Sequence, residues 1–344
     1  MRRTRIKPDS ANPEAPGRPA GTYYHLVNRI AGQPGQLPFG DAEKEKLMMM
    51  LLRLCLFFII EPVSCAIMGN HFHLVVFVPA LPPLLDEALR RFRAFYGDKR
   101  KITAAERERL PARLRDFSSF MHLLQFPFTC WFNATRQGGR RRGALWQGRF
   151  KSVVLSPEAA RRCMAYVELN PVRAKIVDHP SKYPFCSFGI WEETGKHPFG
   201  KAAIEHLRYL LGSGFQKASA TEMRRHLRNE FTQIIAGELP LDYLGSEEAR
   251  RMEHASRPPP AWARSLMQQA RHWTDGVIVG SQAFVEKTAG LVRDTLATLH
   301  PERHRPTPFD DPPDPKSRPG GSPPAATAPA DPCFCWQKLR NRPT

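Results

Sequence analysis

The feature that most constrains the fold is a pair of apolar runs joined by a two-residue turn. Residues 63–68 have the composition of a strand, and Gly69 and Asn70 are residue types that tolerate the positive φ angles of hairpin turns. Residues 71–78 are apolar enough to form a central strand. The sequence therefore predicts an antiparallel hairpin with a sheet built around it.

Strand and helix patterns alternate around this hairpin. A β-prone run covers residues 22–28, and Asp41 can cap a helix after it. Beyond the hairpin, helical spacing covers residues 86–96, then 119–136 with a kink or break expected at Pro127, then 157–169 with Ser156 as N-cap and Pro157 in the first position. This order of elements predicts an α+β sandwich with an antiparallel sheet.

Composition divides the chain into four parts. Residues 1–20 are expected to be a flexible basic arm, 21–192 an α+β domain, 193–300 a mostly α-helical C-terminal extension, and 301–344 a Pro-rich disordered tail. Within the extension, we interpret residues 273–281 as a helical addition with a turn at Asp275-Gly276.

The chain has an excess of positive charge. Lysine and arginine number 51 against 33 aspartates and glutamates, giving a net charge of +18. Such an excess favours polyanionic partners without choosing between nucleic acid and a membrane surface. Arg53 interrupts the apolar stretch at 47–60, which is too short to span a bilayer. The seven cysteines lack zinc-type spacing, and no signal peptide is recognisable, so we expect a cytoplasmic protein with reduced thiols.

Two histidines are candidate metal ligands. His71 and His73 are two residues apart on the predicted strand, so both imidazoles project from the same face. Two neutral imidazoles on a rigid strand can supply two ligands to a divalent ion. The alternative is a half-exposed strand with two ordinary histidines, since a His-x-His pattern often occurs by chance.

A tyrosine and an asparagine lie together on a predicted helix. Tyr166 and Asn170 are four residues apart, so their side chains share a face. A phenol that attacks phosphorus needs a fixed position and a cation nearby, and the Asn170 amide oxygen could complete a metal shell with the two histidines. The alternatives are that Tyr166 is a core residue and that Asn170 is the N-cap of a helix beginning at Pro171.

A third cluster combines cations with aromatic rings, as single-stranded nucleic acid requires for phosphates and stacked bases. The alternative is a solvated loop. The cations are Arg136, Arg140, Arg141, Arg142, Arg149 and Lys151, and the rings are Trp131, Phe132, Trp146 and Phe150.

Three strings occur in a fixed order along the chain. They are Gly69-Asn70-His71-Phe72-His73-Leu74-Val75, Leu145-Trp146-Gln147-Gly148-Arg149-Phe150-Lys151 and Tyr166-Val167-Glu168-Leu169-Asn170-Pro171-Val172-Arg173-Ala174. Together they resemble the single-tyrosine HUH transposases, in particular the REP-associated tyrosine transposase branch, over residues 22–191. The resemblance implies that the α+β domain is an HUH catalytic domain: a ferredoxin-like antiparallel sheet with helices packed on it.

The resemblance also implies a chemistry. His71, His73 and Asn170 would bind Mg²⁺ or Mn²⁺, and Tyr166 would attack the scissile phosphate of single-stranded DNA. The product would be a 5′-phosphotyrosine intermediate and a free 3′-hydroxyl, rejoined by the reverse attack, with short palindromic hairpins as substrates. Within the third string, Arg173 is expected to contact DNA together with the basic cluster.

Two other functions stay open: a catalytically silent DNA-binding protein, and another HUH endonuclease of the replication-initiator or relaxase type. Against the latter, Tyr166 has no tyrosine partner within its helix. We expect a monomer or homodimer that binds no membrane and is associated with the bacterial nucleoid.

Overall fold

The computed structural model of the chain describes residues 20–32, 35–135, 143–238, 273–274, 277–299 and 334–335. Its strands are β1 (Gly21–Arg29), β2 (Glu61–Ile67), β3 (His71–Pro79), β4 (Lys151–Leu155), β5 (Ile278–Gly280) and β6 (Phe334–Cys335). Its helices are α1 (Asp41–Phe57), α2 (Leu85–Tyr96), α3 (Ala104–Leu114), α4 (Phe117–Ala134), α5 (Pro157–Glu168), α6 (Asn170–Arg173), α7 (Ser187–Thr194), α8 (Gly200–Leu211), α9 (Ala220–Glu238) and α10 (Gln282–Leu299). The predicted arm and tail lie almost entirely outside the described residues.

The strands form one sheet in the order β2-β3-β1-β4-β5-β6. β1 pairs antiparallel with β3 on one side and with β4 on the other, and β2 pairs antiparallel with β3. Helix α1 connects β1 to β2, and α2 to α4 lie between β3 and β4. The first four strands therefore have the order and crossovers of a ferredoxin-like fold, which confirms the predicted α+β class.

The hairpin of β2 and β3 forms as predicted, but its turn residues act differently. Neither Gly69 nor Asn70 has a positive φ angle. A Cβ on Gly69 would lie 3.0 Å from the Leu37 side chain, and the Asn70 amide donates to the carbonyl of Gln36 at 3.1 Å. Gly69 and Asn70 therefore fit the loop that crosses the turn.

The two faces of the sheet carry different residues. On one face, Tyr24 packs against Phe117 of α4 with 4.8 Å between ring centroids. On the other face, His25 and His73 lie against Tyr166 of α5. Strand alternation therefore places the histidines under α5, on the face opposite to α1 and α4.

The predicted helices form, but the N-cap of α1 differs from the prediction and α3 was not predicted. Helix α4 continues through Pro127, so the helix is not broken there. Gly40, and not Asp41, is the N-cap of α1. The sequence-based interpretation missed α3, although Thr103 and Glu106 form a capping box at its start.

The described part of the extension is mostly helical, as predicted, but the interpretation of residues 273–281 as helical is wrong for β5. This strand pairs in parallel with β4 and extends the sheet. On α9, Arg224 donates to the Trp191 carbonyl and Arg228 pairs with Glu192 of α7. None of the described helices is both long and apolar enough to cross a bilayer.

Candidate active site

The His71 and His73 rings lie side by side at the edge of an open cavity of about 600 Å³. Their centroids are 4.9 Å apart and their planes almost perpendicular. Burial is the main cause that lowers the pKa of His71 to about 4, with Arg29 and Arg173 adding to it. Burial also lowers the pKa of His73 well below its usual value. Both imidazoles are therefore neutral at pH 7, which is the form that ligates metal ions.

Asn70 fixes the proton on His71. The Nδ1 atom of His71 lies 2.6 Å from the Asn70 Oδ1, while the Asn70 amide nitrogen donates to the Gln36 carbonyl. An amide oxygen only accepts, so Nδ1 carries the proton. The lone pair of neutral His71 is then on Nε2.

His73 is held by residues that the sequence did not single out. Its Nδ1 lies 2.9 Å from Nε2 of His25 in β1, and His25 Nδ1 lies 2.7 Å from the carbonyl oxygen of Trp273. All three residues are at most 3% exposed. To predict the contacts of His25 from sequence, one would need to know that β1 pairs with β3 and that Trp273, 248 residues later, lies beside His25.

Tyr166 lies directly over the histidines. Ser156 accepts from the backbone N–H of Ala159 and begins α5, as predicted, and the helix places the Tyr166 ring 5.6 Å from the His73 ring. The Arg173 guanidinium lies 5.0 Å from the Tyr166 ring centroid. Burial raises the pKa of the Tyr166 hydroxyl, while Arg173 and Asn170 oppose that shift.

Asn170 is buried beside Tyr166, but it is not an N-cap. It is the first residue of α6, and its amide nitrogen donates to the Tyr166 carbonyl at 2.9 Å. The capping interpretation is therefore wrong. Asn170 is absent from the residues that line the cavity, unlike His71 and His73. Its role as a metal ligand stays a prediction.

The second string of the sequence forms a wall of the cavity. Its backbone follows the end of β1, with Gln147 N–H donating to the Arg29 carbonyl at 2.8 Å. Gln147, Gly148, Arg149 and Lys151 line the cavity together with the histidines. Arg29 adds another cation. The remaining lining residues are Val27, Asn28, Tyr166 and Thr274.

The aromatic residues of that string face the core. The Trp146 indole N–H donates to the Thr129 hydroxyl at 3.0 Å, and its ring packs edge-on against Phe72. Phe150 is 8% exposed and packs against Phe117. These contacts give Trp146 a structural role, and because its ring is only partly buried, its contact with DNA stays a prediction. The predicted contacts Arg136, Arg140, Arg141 and Arg142 lie outside the described residues.

The donor atoms fit a divalent ion. The described residues contain no group of three or more His, Cys, Asp and Glu side chains arranged for a metal. An ion beside His71 and His73 would therefore complete its shell with oxygen atoms of water, an amide or a phosphate. Such oxygen ligands suit both Mg²⁺ and Mn²⁺.

Comparison with solved structures gives a distant likeness. No family model and no curated protein matches the chain. Among solved structures, a REP-associated tyrosine transposase bound to a REP hairpin is similar at 18% identity, with a TM-score of 0.36. The match covers 57% of this chain and 86% of that one. A likeness this distant says nothing about the chemistry of this chain.

Proposed function

We propose that this protein is a metal-dependent strand transferase that cleaves and rejoins single-stranded DNA through Tyr166. The observation that carries the proposal is that a single cavity brings together Tyr166, two neutral histidines and three cations (Arg29, Arg149 and Lys151). A phenol, a pair of metal-ligating nitrogens and phosphate-binding side chains are the groups that phosphoryl transfer to tyrosine requires.

In the proposed reaction, Tyr166 Oη forms a bond to phosphorus while the bond from phosphorus to the 3′ oxygen breaks. The phenol proton is lost to water, and the 3′ oxygen takes up a proton and leaves as a hydroxyl. A divalent cation, when bound by His71 and His73, would polarise a phosphoryl oxygen. Attack by the 3′-hydroxyl on the phosphotyrosine reverses each change and rejoins the strand.

The side chains around Tyr166 have separate roles in this proposal. Arg149 and Lys151 are exposed at the wall of the cavity, where they neutralise phosphates of the bound strand. Arg173 stabilises negative charge on the Tyr166 oxygen, the direction in which it shifts the pKa of that hydroxyl. The helix fixes the phenol, so the attack needs little further ordering.

The proposed partner is DNA, single-stranded or folded into a short palindromic hairpin, in agreement with the net charge of +18. We further propose that the protein acts at the bacterial nucleoid as a monomer or homodimer, with Mn²⁺ or Mg²⁺ as cofactor.

Covalent capture tests the proposal. The full chain is incubated with Mn²⁺ and single-stranded hairpin oligonucleotides taken from the DNA that flanks its gene, together with hairpins carrying randomised flanks. We expect a protein–DNA adduct that survives denaturing electrophoresis. Tyr166→Phe should abolish the adduct and retain hairpin binding. Tyr96→Phe is the matched control, because Tyr96 packs against Phe57 far from the cavity.

Two outcomes would contradict the proposal. An adduct formed by Tyr166→Phe would show that another residue is the nucleophile. Hairpin binding by the wild-type protein without any adduct, with or without Mn²⁺, would favour the DNA-binding protein that lacks chemistry.

A further inference from the structure

A chain of hydrogen-bonding groups leads from the C-terminal extension to the cavity. It runs from the Trp273 carbonyl to His25 at 2.7 Å and from His25 to His73 at 2.9 Å. The planes of the His25 and His73 rings are nearly parallel, with 13° between them. His25 is fully buried, so water does not compete for these bonds.

The Trp273 carbonyl decides where each proton is. A carbonyl oxygen only accepts, so His25 Nδ1 must donate to it. Both ring nitrogens of the buried His25 meet uncharged groups, a carbonyl oxygen and an imidazole, so the ring is neutral and has a single N–H. Nε2 of His25 is therefore an acceptor, and the atom facing it, His73 Nδ1, must be the donor. Neutral His73 then has its lone pair on Nε2.

We propose that the Trp273 carbonyl, acting through His25, holds His73 in the Nδ1–H tautomer and so keeps its Nε2 lone pair available to a divalent cation. The tautomer follows from the hydrogen bonds alone, whereas its use in binding a cation rests on the proposed function. His25 is a positioning residue in this scheme, because it acts on the cavity only through His73.

The arrangement matches the one at His71. There, the Asn70 amide oxygen accepts from Nδ1 and leaves Nε2 with the lone pair. Histidines that ligate metals generally donate their other N–H to a fixed acceptor, which orients the ring and increases its basicity. The two candidate ligands are thus prepared in the same way, one by its neighbour in sequence and one by residues from β1 and the extension.

Two substitutions of His25 separate tautomer control from packing. Glutamine can offer its carbonyl oxygen to His73 Nδ1 and its amide N–H to the Trp273 carbonyl, so His25→Gln retains the polarity of the chain. His25→Leu removes both the acceptor for His73 Nδ1 and the donor to the Trp273 carbonyl. The matched control is His206→Leu, because His206 is also buried on this face and bonds to Tyr23 and Glu61, away from the cavity.

The readout is the two-bond ¹⁵N–¹H correlation spectrum of the full chain labelled with ¹⁵N-histidine and free of metal, in which the two tautomers give different patterns. His73 is assigned by the signals lost in His73→Gln. We expect the Nδ1–H pattern for His73 in the wild type and in His25→Gln, and loss of this pattern in His25→Leu. Mn²⁺ affinity, measured by calorimetry, should fall by about 10- to 100-fold in His25→Leu and stay near the wild-type value in His25→Gln.

Several results would overturn the proposal. These are an Nε2–H pattern for His73 in the wild type, an unchanged His73 pattern in His25→Leu, or the same change in His206→Leu. Circular dichroism checks folding, and the wild-type and His25→Gln spectra decide the question if His25→Leu does not fold. A wild-type protein that binds no Mn²⁺ would refute the metal part of the proposed function, while the spectra would still decide the tautomer.

Discussion

Protonation of His197 is expected to destabilise the fold as the pH falls below neutrality. His197 lies between α7 and α8, is 8% exposed, and packs edge-on against the Trp191 ring at 5.1 Å. Its Nδ1 accepts a hydrogen bond from the backbone N–H of Phe199 at 3.3 Å, which requires a lone pair on that atom. Burial lowers the pKa of His197 from 6.5 to about 3.

The sign follows from proton binding. Between pH 3 and 6.5 the unfolded chain binds a proton at His197 and the folded chain does not, so the free energy of unfolding rises with pH in this window. The contribution of neutral His197 to the free energy of unfolding is complete above pH 6.5 and is lost as the pH falls towards 3. At pH 5 the loss covers 1.5 pH units at 1.36 kcal/mol each, or about 2 kcal/mol.

The measurement compares urea denaturation of the wild type and His197→Asn at pH 7.5 and pH 5. Asparagine does not titrate, and its carbonyl can accept from an N–H two residues on, as His197 does. Lowering the pH should destabilise the wild type by about 2 kcal/mol more than the variant. Groups common to both proteins cancel in this difference.

His197→Gln separates titration from packing. Glutamine is also neutral but is longer than asparagine. The free energy of unfolding of His197→Gln should therefore differ from that of His197→Asn by the same amount at both pH values. If the stability difference between wild type and variant is equal at pH 7.5 and pH 5, burial does not lower the pKa of His197 and the reasoning is wrong.

Four further substitutions and one control have expected outcomes. Arg149→Gln and Lys151→Gln should each weaken the binding of single-stranded DNA, measured by fluorescence anisotropy. Each should also reduce the magnitude of the slope of log affinity against log salt concentration by about 0.7, and an unchanged slope would exclude phosphate contact. Trp146→Ala should destabilise the fold by about 3 kcal/mol in urea denaturation, and a stable variant with weakened DNA binding would instead support base stacking. Gly189→Ala places a Cβ 1.9 Å from a backbone carbonyl oxygen and should destabilise by at least about 2 kcal/mol, whereas Gly214→Ala meets no atom within 4 Å and should change stability little.

Local patterns were sufficient where the structure depends on neighbouring residues. Strand alternation correctly placed His71 and His73 on one face, and the Ser156-Pro157 pair correctly marked the start of α5. Helical spacing correctly placed Asn170 next to Tyr166, although hydrogen bonding to the Tyr166 carbonyl replaced the expected cap. Each of these inferences needs only residues that lie close together in the sequence.

Local patterns were not sufficient where a residue is defined by distant contacts. The same alternation that describes His71 also describes His25, but only the pairing of β1 with β3 brings His25 to His73. The basic loop beside Trp146 suggested base stacking and gave no sign that Phe72 and Thr129 hold the ring against the core. Packing of the surrounding elements decides such cases, and residue type alone does not.

The two candidate ligands therefore depend on the fold to different extents. Asn70 is adjacent to His71, so the hairpin alone contains both the imidazole and the group that fixes its proton. His73 depends on His25, 48 residues earlier, and on Trp273, 200 residues later, so its tautomer is fixed only when β1 and the extension are both in place. Conditions that displace the Trp273 segment without unfolding the sheet should allow His73 to adopt either tautomer. The tautomer of His71 should not change. The C-terminal extension is in this sense part of the candidate active site, although none of the three recognisable strings lies within it.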